Sequence, residues 1–134
     1  MRIAVCVKAV PSSTEVKMDP KTNTIVRDGK QAVINPFDAT ALECALQARE
    51  SLLAQDVDAT VNVLSMGIPA TADLLHDCIA RGADAGLLLS DRAFAGADTL
   101  ATCYALTLGI ERMGNPDLII CGKMAVDGDT AQIG

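Results

Sequence analysis

Four short, largely apolar runs, Ile3 to Val7, Val61 to Met66, Ala85 to Leu89 and Leu118 to Cys121, alternate along the chain with longer stretches of helical period. Runs apolar at consecutive positions belong to strands covered on both faces, as in a parallel sheet. Strands that alternate with helices through short connections imply right-handed crossovers. The pattern therefore predicts an α/β fold, a three-layer Rossmann-like parallel sheet with helices on both faces. Its ligand crevice should lie beyond the carboxyl ends of the strands, near a switch in strand order. The loops at those ends, Lys8 to Pro11, Met66 to Pro69, Ser90 to Ala97 and Gly122 to Gly134, are expected to rim one crevice.

The first helix opens on a strong signal. Asn35 suits an N-cap, Pro36 the first helical position, and Asp38 the first turn, where the dipole favours negative charge. It should run to about Ala54 on a stripe of Leu42, Leu46, Arg49 and Leu53 flanked by Ala39 and Ala45. A second helix, from about Ala70 to Arg81, should turn Leu74, Leu75, Cys78 and Ile79 inward and close at Gly82. A third, from about Asp98 to Met113, carries Leu100, Cys103, Leu106 and Ile110 on one side and ends at Gly114-Asn115-Pro116. Between the first strand and first helix, Glu15 to Met18 and Thr24 to Arg27 alternate around Asp19 to Asn23, which predicts a small β-hairpin insertion with one solvated face.

The chain has 134 residues, half of them hydrophobic, which is enough for one domain with its own core, spanning residues 1–134. Two Phe, one Tyr and no Trp leave little for stacking on bases, and a net charge of -6 without basic clusters excludes a nucleic-acid binder. Cys6, Cys44, Cys78, Cys103 and Cys121 are odd in number and widely spaced, with no C-x-x-C pair, so they read as reduced, buried thiols of a reducing compartment. No run reaches the roughly 20 apolar residues of a membrane span, and the N-terminal run is too short for a signal sequence. No membrane insertion and a cytoplasmic location are expected.

The buried strand ending at Cys121 opens into Gly122 to Gly134, a loop of small and polar residues. Its glycines let the main chain approach an anion closely, and Thr130 and Gln132 can add side-chain hydrogen bonds, so a phosphate is the natural guest. The sequence stops where a following helix is expected, so the loop reads as part of a site. Gly122-Lys123 is not a P-loop, since the earlier glycine is missing and Met124 stands in place of the hydroxyl residue. No G-x-G-x-x-G follows the first strand either.

Asp127 and Asp129 suit metal ligation or a catalytic pair, but a further ligand at suitable spacing is not evident, and shaping the loop is the plainer role. His76, the single histidine, falls on the outer side of its helix as a solvated residue rather than a general base. Cys6 and Cys121, near strand ends, either border a ligand or serve as small core hydrophobes. Arg92 and Phe94 either grip and cover a nucleotide or belong to an ordinary surface loop. No catalytic constellation and no metal site emerges.

Val5-Cys6-Val7-Lys8 with Pro11, Ile34-Asn35-Pro36-Phe37-Asp38, Arg81-Gly82-Ala83-Asp84, and Gly122 to Gly134 with its core Asp127-Gly128-Asp129-Thr130-Ala131-Gln132 together resemble the beta subunit of electron transfer flavoproteins. The resemblance covers the chain from end to end, and the fold it implies is adenine nucleotide alpha hydrolase-like. Family members are roughly twice as long, so it implies an N-terminal fragment lacking the subunit's C-terminal part. It further implies a heterodimer with an alpha subunit that carries most of the FAD, passing electrons from acyl-CoA or other dehydrogenases to a further acceptor. In that family the beta subunit binds AMP. Carried over by motif, the contacts would be Cys6 with Lys8 and Ala9, then Asn35, Pro36, Phe37 and Asp38, then Met66. The rest would come from Gly122, Lys123, Met124, Ala125, Val126, Asp127, Gly128, Asp129, Thr130, Ala131 and Gln132.

A subgroup holds a second FAD in place of AMP and splits electron pairs from NADH. The segment Leu89 to Thr99, with Arg92 and Phe94, is similar to that bifurcating type. The expected role is thus that of an electron-carrier subunit without acid-base machinery of its own. One rival is a stand-alone adenine-nucleotide-binding module of the universal-stress type. The other is a nucleotide hydrolase or synthetase, for which no residue set speaks. The apolar helix faces and Ile133 also predict self-association of the fragment.

Overall fold

The computed structural model describes residues 1–12 and 32–134. Its strands are β1 (Arg2–Cys6), β2 (Ala9–Pro11), β3 (Ala32–Ile34), β4 (Thr60–Met66), β5 (Ala85–Leu89) and β6 (Leu118–Cys121), and its helices α1 (Pro36–Leu53), α2 (Ala72–Ala80) and α3 (Thr99–Arg112). The predicted hairpin over Glu15 to Arg27 lies outside the described residues.

The four apolar runs form one parallel sheet in the order β5-β4-β1-β6. From β1 the chain builds outward through β4 to β5, then returns across the sheet to place β6 on the far side of β1. The switch in strand order therefore falls between β1 and β6. A second, antiparallel pair joins β2 to β3, with Ala9 opposite Ile34 and Pro11 opposite Ala32. This corrects the reading of Lys8 to Pro11 as a loop. Three residues are too few to show a period, and their partners lie more than 20 positions away in the sequence.

Strand alternation divides the core between the two faces. Ile3, Val5, Val7, Val61 and Val63 pack with Ala41, Leu42, Ala45 and Leu46 of α1 and with Leu74, Leu75 and Cys78 of α2. On the opposite face α3 buries Ala105, Leu106 and Gly109. A Cβ at Gly109 would stand 3.0 Å from side-chain atoms of both Leu64 and Leu89. A glycine inside a helix, which propensity alone disfavours, is explained here by close approach to the sheet.

Several inward assignments shift. Leu53, Ile79 and Leu100 are exposed, Leu100 to 78%. In α1 the buried arc is Ala41, Leu42, Ala45 and Leu46, and the last turn passes beyond the core. Arg49 keeps its place in the stripe by donating to Gly82 O (2.8 Å) and pairing with Asp84 (3.0 Å). Cys44 is exposed on the outer side of α1, contrary to its reading as a buried thiol, whereas Cys78 is buried and the other three are half-buried. A short 3-10 turn, Pro69–Thr71, precedes α2, Gly82 ends it at a φ of +123°, and His76 is exposed as expected. At the start of α3, Asp98 accepts a hydrogen bond from Ala101 N–H (2.8 Å). No helix among the described residues is long and apolar enough to cross a membrane.

Candidate functional site

The loops that leave β1 and β6 meet at the switch point, and two side chains of the α1 entry bind them together. Asn35 is fully buried, and its side chain does not cap the helix. Its Nδ2 donates to Met124 O (2.8 Å) and its Oδ1 accepts from Val126 N–H (3.1 Å), so one carboxamide fixes the loop after β6 at two points. Asn35 stands at the N-cap position as expected, with Pro36 following, but its side-chain groups are used by a distant loop and not by the helix's own amides.

Asp38 is buried in the first turn of α1. Its carboxylate accepts from Lys8 N–H (2.8 Å) and packs closely against Gly122, so it joins the loop after β1 to the start of the loop after β6. Burial raises its pKa above the ordinary carboxylate value, against the opposing effects of nearby Asn35, the Lys8 N–H bond and the positive charge of Lys8. Gly122 is compelled by space, because a Cβ there would run into the Asp38 carboxylate and stand 2.8 Å from the Phe37 carbonyl carbon. The N-terminal turn of α1 and the β6 loop are thus in backbone contact.

Beyond Val126 the loop folds into a turn, with Gly128 N–H and Asp129 N–H both donating to Ala125 O (3.3 and 2.9 Å). Lys8 Nζ reaches Asp127 at 2.6 Å across the mouth of the switch point. Asp129 and Ala131 then take left-handed backbone, with φ of 53° and 52°, on either side of Thr130. Non-glycine residues in that region carry strain of about 1–2 kcal/mol each. Alternation of backbone hand is what turns successive N–H groups toward one point and makes an anion-binding concavity. Residues 126–134 are exposed, and the N–H groups of Thr130, Ala131 and Gln132 have no hydrogen-bond partner among the described residues.

The structure brings together Lys8, Asn35, Phe37, Asp38, Gly122, Met124, Val126 and Asp127. Ala9 is half-buried in β2, Pro36 and Lys123 are exposed, and Met66 is half-buried at the carboxyl end of β4, beside β5 through the bond from Gly67 N–H to Leu89 O (3.0 Å). Thr130 and Gln132 form no side-chain hydrogen bond among the described residues. Arg92 and Phe94 form a 3-10 turn after β5, capped by Asp91, at the sheet edge opposite β6. Three strand spacings of about 4.8 Å separate that edge from the β6 loop, roughly 14 Å in all. The expected single rim therefore has two ends.

Cys6 and Cys121 turn toward α3, away from α1, and line a separate cleft of about 210 Å³. Ser65, overlooked in the sequence, is a fully buried residue at the carboxyl end of β4 whose Oγ has no hydrogen-bond partner among the described residues. A hydroxyl in the apolar half of that strand, between Leu64 and Met66, was the signal that marked it. No group of three metal-ligating side chains forms among the described residues.

The family described as electron transfer flavoprotein domain matches residues 22–134. Caffeyl-CoA reductase-Etf complex subunit CarD of Acetobacterium woodii is 48% identical over 134 residues, which cover 100% of this chain and 50% of that protein. Protein FixA of Sinorhizobium fredii is 46% identical over 138 residues, 100% of this chain and 47% of its own length. Electron transfer flavoprotein subunit beta of Megasphaera elsdenii is 46% identical over 140 residues, 100% and 50% respectively. The chain spans about half the length of these curated relatives.

Proposed function

The chain belongs to the electron transfer flavoprotein family, and from that premise we propose that residues 1–134 are the nucleotide-holding domain of a beta-type subunit. The single observation that carries this reading is the loop after β6, pinned by Asn35, packed through Gly122 against Asp38 at the switch point, and opening beyond them into left-handed turns at Asp129 and Ala131. Lys8 and the main-chain N–H groups of Thr130 to Gln132 would hold the phosphate of an adenine nucleotide. Asn35, Asp38 and Gly122 would keep that loop in shape, and the α1 N-terminus adds a favourable dipole. The local arrangement matters because the chain as a whole carries a charge of -6 and repels anions elsewhere.

In this reading AMP fills the crevice, and the domain works in the cytoplasm as half of a heterodimer with an alpha subunit that carries most of the FAD. Flavin, when bound, supplies the redox chemistry, while this chain's own groups bind, orient and shield the nucleotide. Electrons would arrive from acyl-CoA or other dehydrogenases. That a relative is named as a subunit of a caffeyl-CoA reductase-Etf complex supports a multi-subunit setting. Family membership favours this function over a universal-stress-type module. A second reading, FAD in the crevice with NADH as donor, is favoured by the Arg92–Phe94 turn, which only a ligand longer than a mononucleotide would reach from the β6 loop.

Calorimetric titration with AMP, FAD and NADH, after denaturation to release any co-purified nucleotide, tests both. Binding of AMP alone supports the first, FAD or NADH binding the second. Silence from all three, with the chain shown to be folded, would overturn the site in this chain.

A further inference from the structure

We infer that Cys6 and Cys121 form a reversibly oxidisable dithiol, a modification site whose co-reactant is a low-molecular-weight disulfide of the glutathione class. The two residues are Cα partners across the parallel β1/β6 pair. Neighbouring strands lie about 4.8 Å apart, inside the window of about 4.4–6.8 Å within which two Cα atoms are bridged by a disulfide. Strand alternation sends both side chains to the α3 face, where they line one cleft with Cys103, Leu106, Ile110 and Gly134. Both thiols are free and half-buried.

The proximity of the two sulfurs, with burial adding to the effect, raises the Cys6 thiol above its ordinary range, and the same proximity lowers Cys121. In the proposed exchange Cys121, the thiol shifted downward, is the attacking sulfur and Cys6 the resolving one. Cys78 marks the contrast, sealed beneath α2 with its thiol pushed up to about 11 by burial.

The Cys121 thiolate attacks one sulfur of the oxidant, whose S–S bond breaks and releases a thiolate. A mixed disulfide now stands at Cys121. Cys6 passes its proton to the released thiolate and attacks the Cys121 sulfur, expelling the second thiolate, which takes a proton from water. Two protein thiols have lost two electrons and two protons, and one disulfide has become two thiols. The product joins β1 to β6 directly beneath the two loops that meet at the switch point.

The folded chain, equilibrated with oxidised and reduced glutathione, alkylated and digested with trypsin, gives the test. Peptide 3–8 should appear linked to peptide 113–123, two hydrogens lighter than their sum, and separate again with dithiothreitol. Cys6→Ser should trap a glutathione adduct at Cys121 at least tenfold above that at Cys78. The inference is overturned if no 3–8/113–123 link forms at a poise that fully modifies the exposed Cys44. It is also overturned if Cys103 takes the place of either partner, or if the link forms only in urea.

Discussion

Removing the Asn35 carboxamide breaks two buried hydrogen bonds at once and strands the carbonyl of Met124 and the amide of Val126. Each loss costs about 1–2 kcal/mol, so Asn35→Ala should destabilise the chain by about 2–4 kcal/mol in urea titration, a result that a solvent-exposed helix cap would not produce. Lys8 stands differently, with its ammonium at the surface beside Asp127. Lys8→Ala should leave the midpoint of unfolding nearly unchanged yet weaken AMP binding by about 10- to 100-fold, the range of one charge-assisted hydrogen bond. Equal affinity in both proteins would remove Lys8 from the site. Asp38 carries a pH signature. Its folded pKa lies above its ordinary value near 3.8 because burial outweighs its hydrogen bonds, so the folded chain holds that proton more readily than the unfolded one. The stability contribution of this group consequently falls as pH rises from about the ordinary Asp value through the folded pKa. Carbon-detected titration of the Asp38 carboxyl should show a midpoint above 3.8.

At the scale of elements, α3 shows why a hydrophobic pattern finds a helix more readily than its buried face. Its large residues Leu100, Tyr104 and Leu108, spaced four apart, point outward, while Ala105, Leu106 and Gly109 meet the sheet. Close packing on Leu64 and Leu89 selects for small side chains at the contact, so the arc of greatest hydrophobicity is not the arc of greatest burial. Leu100→Lys with Leu108→Lys should therefore change stability by no more than about 0.5 kcal/mol each, as other exposed positions do. If self-association uses this face, the same pair of changes shifts light scattering toward monomer. Leu42→Ala, within the α1 arc, should by contrast cost about 2–5 kcal/mol, the range for emptying a packed core site.

For the molecule as a whole, a nucleotide that binds only the folded state raises stability by about 2.7 kcal/mol at a hundredfold excess over its Kd. Thermal melts with AMP and with FAD should rank the two ligands in the order of their affinities, and identical melts with and without either would argue against a nucleotide site in this chain. The parallel sheet and the helices that alternate with it were legible because their signals are local: continuous apolar runs, helical period, a proline at a helix start, a glycine at its end. Ala85–Leu89 and Leu118–Cys121 were read to the residue for that reason. The loop after Cys121 was also legible as a loop, from its small and polar residues and its position after a strand. What remained hidden was every relation between distant positions. The β2/β3 pairing, Asn35 turning away from its own helix to hold Met124 and Val126, and Gly122 pressed against Asp38 each join residues more than 20 positions apart. So does the meeting of Cys6 with Cys121. Composition and period depend on neighbours along the chain and so determined the elements and their order. Strand order and packing decided which side chains converge, because only they bring the ends of β1 and β6 together at one switch point.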